Sequence, residues 1–271
     1  MKTIKKIDPD RLAVKMLVRA REDFQSMRKR MDNRIGRKAD GTSQNIDERD
    51  IRAEDYINFS TIADEARVQE KAIEKMLKKT LKRFPVYNDY LKDIKGVGDI
   101  SAGWIIGEFD IDIATTVSKL WQFCGLNPGM VLGKKRKESE DGKSFTYVQT
   151  NTLVRGDKLT PEFVAPFNKR LRTALVGVMA DGFIKSQNDY CMKYYYPYKM
   201  RLEQEENLAP VPVKGKQKPW KDESKGHRDR AAKRYMIKMF LLDLYVAWRK
   251  IEGLPVREPY QVEYLGHKHA S

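Results

Sequence analysis

Only two cysteines occur in the 271 residues, Cys124 and Cys191. They lie far apart in apolar or aromatic surroundings and neither has a Cys-x-x-Cys partner, which argues against a disulfide scaffold and against a zinc ribbon. Histidine is equally scarce, with three in all. Two of them end the chain in Gly266-His-Lys-His269 with no third metal ligand evident, so that pair reads as a surface tail. No apolar run approaches the roughly 20 residues of a membrane-spanning helix. The start, Met1-Lys-Thr-Ile-Lys-Lys-Ile-Asp-Pro9, lacks the apolar core of a secretory signal. No internal repeat stands out. These absences lead to the expectation of a reduced, cytoplasmic protein without a membrane partner.

What the chain has in excess is positive charge. Lys and Arg number 53 against 38 Asp and Glu, a net charge of +15. A surplus of this size attracts polyanions, and nucleic acid is the commonest polyanion inside a cell. With 41% hydrophobic residues the chain can still build a core, as one large domain or two smaller ones.

The stretch with the most local information is Leu91 to Ile106, where Gly96-Val97-Gly98 separates two short apolar patterns, Leu91 with Ile94 and Ile105 with Ile106. Ala102 is small enough to let the two helices cross closely. Gly96 and Gly98 permit positive φ and leave amides uncovered, and a helix N-terminus follows at Asp99. Amides beside a helix start can hold a phosphate without reading a base. The spacing resembles the helix-hairpin-helix motif of proteins that grip the nucleic-acid backbone. The competing reading is a glycine turn between two core helices.

Along the chain, residues 1–84 read as a basic helical hairpin or coiled-coil module. Asp8-Pro9-Asp10 starts a helix whose stripe is Leu12, Met16, Phe24, Met27, Met31 and Ile35, ending near Asp40-Gly41-Thr42. Its basic face either is solvated, tracks phosphates or pairs with another helix. A second helix, Asp47 to Phe84 with a break near Phe59-Ser60, has Ile62, Ala66, Ile73, Met76, Leu77 and Leu81 as its inward set and is the antiparallel partner of the first. Residues 85–271 read as a second helical domain with a polar insert at about 129–166 and a loop at about 207–221. Within the insert, Gly133 to Lys143 is basic and loop-like, and Ser144 to Arg155 has the Thr, Val and Tyr content of a short β-hairpin. Helices follow at Phe167–Ile184, with Leu171, Leu175, Val178 and Met179 inward, at Asp189–Glu206, and at Gly226–Gly253. Tyr190, Tyr194, Tyr195, Tyr196 and Tyr198 interleave with basic residues and serve either packing or base stacking. The fold class expected is all-α, with room for one small β element.

Glu108, Asp110 and Asp112 alternate, so in an extended chain they would share a face and could hold Mg²⁺; a solvated loop with Asp112 as a helix cap is the alternative. Phosphate contacts are expected at the amides of Gly96, Val97 and Gly98 with Lys95, and at Arg170, Arg172, Arg228, Arg230, Lys233 and Arg234 on two basic helix starts.

The run from Leu91 to Pro128 contains Ile94-x-Gly-Val-Gly98, then Asp110-x-Asp-Ile113, then Lys119-Leu-Trp-Gln-Phe-Cys-Gly-Leu-Asn-Pro128. In this order the parts resemble the transposase half of DEDD-type insertion-sequence transposases. Looser similarities are Asn168-Lys-Arg-Leu-Arg172, the helix from His227 to Trp248, and Leu17-Val-Arg-Ala-Arg21 with Asn33-Arg-Ile35, which is similar to that family's coiled-coil linker. The resemblance implies DNA binding in transposition or site-specific recombination, duplex or branched DNA as partner, and a serine nucleophile between the Gly-Leu-Asn-Pro turn and the Asn-x-x-Leu-Arg helix. That interval holds Ser139 and Ser144, of which Ser144 is the better candidate. A strand opening the family's RuvC-like nuclease half is not seen, so Mg²⁺ would come to Glu108, Asp110 and Asp112 or to a partner. A non-catalytic DNA- or RNA-binding module of the same descent is the alternative, and the coiled-coil pattern allows a homodimer.

Overall fold

Hydrophobic periodicity and charge pairing produce a mostly helical chain with one two-stranded antiparallel hairpin. The computed structural model describes residues 8–38, 51–139, 143–210 and 216–257. The turn expected near Gly41 and the His267/His269 pair lie outside them. The chain divides into two units, residues 1–88 with 98–108 and residues 89–97 with 109–271.

In the first unit, helix α1 (Pro9–Ile35) begins at Asp8, whose side chain accepts from the Asp10 amide at 3.0 Å, and ends at Gly36 in the left-handed region, φ 70°. It therefore stops before the predicted end near Asp40, because Gly36 adopts the C-cap conformation without a Cβ penalty. Helix α2 (Ala53–Leu81) runs without the break expected at Phe59-Ser60. The two are antiparallel: as the partner on or just after α1 advances from Asp10 through Arg21 and Arg28 to Arg37, the partner on or just after α2 retreats from Arg83 through Glu74 and Glu70 to Asp64.

The seam between them corrects the predicted stripe. Val14, Val18 and Ile35 are the buried apolar residues of α1, whereas Leu12, Met16 and Met27 are exposed. On α2, Ala66, Ile73, Leu77 and Leu81 are buried as expected, and Ile62 and Met76 are exposed. The rest of the seam is ionic. Glu70, 5% exposed, accepts from Arg28 through both oxygens and lies 3.7 Å from Arg21. Asp32, also 5% exposed, is held by Arg37 at 2.7 Å and by Arg28 at 3.4 Å. Of the three readings for the basic face of α1, pairing with another helix describes Arg21, Arg28 and Arg37.

Helix α3 (Pro85–Asp89) follows, and α4 (Asp99–Glu108) packs on the hairpin. The approach depends on glycine. A Cβ at Gly103 would meet Val18 at 2.7 Å, and one at Gly107 would meet the Lys15 backbone at 3.1 Å. Lys15 and Arg19 then reach Glu108 at 2.9 and 3.4 Å, and the Trp104 indole donates to Glu22 at 2.6 Å.

The second unit contains a 3₁₀ turn (Leu91–Asp93), α5 (Val117–Phe123), strands β1 (Met130–Glu138) and β2 (Phe145–Arg155), and helical segments built around α9 (Lys225–Ile251). The first of these segments is α6 (Lys169–Arg172), a π-helical stretch (Thr173–Met179) and α7 (Ala180–Ser186). The second is a π-helical stretch (Cys191–Tyr195) and α8 (Tyr196–Gln204). Met236, Met239, Phe240, Leu244 and Trp248 of α9 are buried as the stripe predicted, as are Leu171, Leu175 and Met179. Val178, expected inward, is 54% exposed. The π-helical stretch changes the angle per residue, so a 3.6-residue count loses phase across it.

The hairpin is longer than predicted. β2 pairs with the basic segment that read as loop, Lys134 opposite Gln149 and Arg136 opposite Tyr147, with an irregularity between Leu132 and Lys134. At that irregularity Gly133 sits over Phe163, where a Cβ would come within 2.5 Å of the ring, and the Val164 amide donates to the Lys134 carbonyl at 2.8 Å.

Removing one member of a buried ion pair leaves its partner charge uncompensated, at a cost of about 3–5 kcal/mol. Glu70→Ala is expected to lose stability on that scale in urea unfolding, while Met16→Ala, at an exposed position, changes it by less than about 0.5 kcal/mol.

Candidate nucleic-acid interface

The start of α9 brings four of the expected phosphate-binding cations onto one helix, and their surroundings separate them into two kinds. Ser224 caps the helix, accepting from the His227 amide at 3.2 Å, and Glu223 meets the His227 ring at 2.9 Å. Arg228 turns inward. It is 9% exposed and donates to the carbonyls of Lys221 (2.9 Å) and Glu223, tying the preceding 3₁₀ turn (Trp220–Asp222) to the helix. Lys233 bridges Asp181 at 2.7 Å and Asp229 at 3.0 Å. Burial acts to raise the Asp229 pKa, but the Tyr195 hydroxyl and the Lys233 ammonium outweigh it and hold the carboxyl below its usual value. Arg228 and Lys233 are thus engaged in the fold.

Arg230 and Arg234 are one turn apart. Arg230 is exposed. Arg234 is half-buried and makes no hydrogen bond or ion pair with a described residue. Burial, and next the charge of Arg172, depress its pKa; Arg230 adds to this, while Asp157 and Tyr198 oppose it. Arg172 rises from α6, where Asn168 caps the helix by accepting from the Leu171 amide at 3.1 Å. Its guanidinium lies over the Phe167 ring, 4.9 Å from the centroid, and donates to the Asp157 carbonyl. Burial lowers its pKa, against the pull of Asp157. The Asp157 carboxylate is itself taken by Arg155, at 2.9 and 2.8 Å. Arg234 thus feels the charges of Arg172 and Arg230 beside a single, already paired carboxylate. An anion would relieve their repulsion and take the open donors of Arg234, and planar donor forks suit phosphate.

Beside Arg234 the tyrosines form a layer. Tyr198 stacks on Tyr235 with centroids 4.4 Å apart, and the Arg201 guanidinium lies 4.7 Å from the Tyr198 ring centre. Tyr190 and Tyr195 are packing residues. The first stacks on Phe183 and donates to Asp243 at 2.9 Å, and the second donates to Asp229. Tyr235 and Arg201 were not singled out by the sequence reading, although Tyr194, Tyr198 and Arg201 follow the four- and three-residue spacing of one helix face.

The glycine turn has a different setting. Its first arm is the 3₁₀ turn rather than a helix, and Gly96 takes φ 93°. A Cβ there would meet Ser186 at 2.8 Å, and the Lys95 carbonyl accepts from Asn188 at 2.9 Å. Asn188, 4% exposed and also unflagged by the sequence, fixes this turn from the end of α7. The Val97 amide is used inside the turn, donating to Ile94 at 3.0 Å. Gly96 and Gly98 are exposed, and nothing lies within 4 Å of a Cβ placed on Gly98. Lys95 and Arg170 are also exposed.

The acidic segment is not extended. Asp110 folds it into a turn by accepting from the amides of Asp112 (3.2 Å) and Ile113 (3.4 Å), and Glu108 is bound by Lys15 and Arg19. Residue Thr116, not Asp112, occupies the cap position of α5. Among the described residues no group of three His, Cys, Asp or Glu is placed to hold a metal ion. Ser144 stands at the start of β2, its amide donating to the Ser139 hydroxyl at 3.1 Å and its carbonyl accepting from it at 3.0 Å. Comparison with protein-family models and with curated proteins gives no match.

Two tests follow from the turn. Gly96→Ala combines a positive φ with a clash and is expected to cost about 1–3 kcal/mol in thermal or urea unfolding, whereas Gly98→Ala stays within about 1 kcal/mol and is the cleaner probe of binding. At the start of α4 the Tyr87 hydroxyl donates to Asp99 at 2.6 Å, and burial with that carboxylate pushes its pKa up to about 12 from the ordinary 10.0. The folded state holds this proton more tightly, so its contribution is intact below pH 10 and is lost as pH rises toward 12. Phenolate absorbance appearing in that window should fall by one tyrosine's share in Tyr87→Phe, and the same variant should remove this component of alkaline destabilisation.

Proposed function

We propose that this protein binds the phosphate backbone of DNA, duplex or branched, and serves DNA transposition or site-specific recombination. The observation that carries the reading is the half-buried guanidinium of Arg234, which makes no hydrogen bond or ion pair with a described residue and is set beside Arg172 and Arg230 in a chain of net charge +15. The resemblance of Leu91–Pro128 to the transposase half of insertion-sequence transposases supplies the biological setting. In that family resemblance the Gly96–Gly98 turn is a second backbone grip of the helix-hairpin-helix kind.

Grip rather than cleavage is the role the residues favour. Glu108 and Asp110, two of the three carboxylates considered for Mg²⁺, have the cationic and amide partners described, and the hydrogen bonds described for Ser144 involve its backbone. A serine needs an activating base or metal to attack a phosphodiester, so a catalytic cycle would draw those groups from a partner.

The test is a salt series on duplex DNA. Each lost phosphate contact should reduce the slope of log K against log salt by about 0.9. Arg234→Ala and Arg230→Ala are expected to weaken binding and flatten the slope by about one contact each, with unfolding midpoints unchanged for exposed Arg230. Equal affinity and equal slope in both variants would refute the reading.

A further inference from the structure

The β1–β2 ribbon is the least explained element of the second unit. From Lys134 to Glu138 and from Phe145 to Gln149 every residue is exposed, on both faces. An isolated two-stranded ribbon is at best marginally stable in water, and this one is anchored near its base, through Gly133 on Phe163, the Thr150 hydroxyl on the Gly133 carbonyl (3.0 Å), Val164 on Lys134, and the Lys135 ammonium 5.1 Å from the Phe163 ring centre. Resting on the reading of the protein as a DNA binder, we infer that the outer ribbon enters the major groove of duplex DNA and contacts base edges.

Three observations carry this. The first is charge: Lys134, Lys135, Arg136 and Lys137 are consecutive, and their carboxylate partners are the exposed Glu138 (3.2 Å from Arg136) and Glu162 (3.9 Å from Lys135). Exposed pairs of this kind contribute little and exchange readily for phosphate. The second is the register. Opposed residues share a face, so Lys134 with Gln149 and Arg136 with Tyr147 lie together on one side, while Lys135 with Val148 and Lys137 with Thr146 lie on the other. Arg and Lys match guanine in the major groove, and Gln matches adenine. The first face therefore carries the side chains that read bases. The Arg136 guanidinium is held 4.2 Å from the Phe145 ring centre, and Phe145 meets Tyr147 edge-on at 5.4 Å, so the reading face is partly organised before any partner arrives.

The third is continuity with the phosphate cluster. β2 ends at Arg155, which pairs with Asp157, and the Asp157 carbonyl accepts from Arg172. The ribbon thus springs from the guanidinium cluster, and strands about 4.8 Å apart fit a groove about 12 Å wide. Phosphate grip at the foot and base contact along the ribbon would act on one duplex.

The full chain is offered a pool of randomised duplexes, and bound sequences are counted for wild type, Arg136→Ala, Gln149→Ala and Lys137→Ala. Wild type should select guanine or adenine at defined positions. Arg136→Ala and Gln149→Ala should each relax one position by about ten-fold or more, while Lys137→Ala, on the opposite face, keeps the selected sequence. Methylation of guanine N7 in the selected site should block binding. Unchanged selection in both variants, or binding indifferent to N7 methylation, overturns the ribbon's role; if Arg234→Ala still weakens binding, the phosphate reading survives. A wild-type protein that binds only RNA, only an acidic polypeptide or no duplex overturns both.

Discussion

Which cations receive a carboxylate is the constraint on which this protein depends. Positive side chains outnumber negative ones, so a carboxylate of its own for each is arithmetically impossible, and the pairing that does occur is concentrated. In the first unit Glu70, Asp32 and Glu108 sit where α1 meets α2 or α4, each shared between two or more cations. A buried carboxylate needs such partners to remain ionised without a large penalty. The helical hairpin is therefore specified by charge as much as by apolar contact, and its register follows from which arginine meets which acid.

In the second unit the same scarcity leaves Arg234 without a carboxylate among the described residues. Asp157 serves Arg155 with its carboxylate and Arg172 with its carbonyl, and Asp229 serves Lys233 and Tyr195. Arg234 has neither. A guanidinium partly withdrawn from water and beside like charges is in a state of higher free energy than one in solvent, and a dianion bound there would lower it. Under the proposed function, that relief would supply part of the binding energy.

The sequence displayed the second unit's long helix accurately because α9 buries apolar residues along most of its inward face, and a 3.6-residue count finds such a face. It misplaced the stripe of α1 for the opposite reason. There the inward positions are Arg21, Arg28 and Asp32, polar residues that a count of apolar side chains scores as solvent. Val178 was misassigned across a π-helical stretch, whose wider turn no local propensity announces. The ribbon partner of β2 was hidden because Lys134 to Lys137 has a composition typical of loops, and strand pairing is set by the opposite strand and by Gly133 on Phe163. Among the candidate contacts, Arg172, Arg230 and Arg234 do converge, though they come from distant parts of the chain. Arg228 and Lys233 belong to the same basic run and differ from Arg230 and Arg234 only in helical phase, information that a charge count discards.

The two cysteines carry one more consequence. Both are fully buried, and burial raises the Cys124 thiol well above its ordinary pKa and the Cys191 thiol also, despite the Tyr196 hydroxyl beside it. Oxidants and electrophiles attack the thiolate, and neither sulfur offers one to solvent. Both thiols are thus withheld from thiol reagents in the native fold. A single cysteine introduced at an exposed position would then be the one reactive thiol in the folded protein, and every label or crosslink would report from that point.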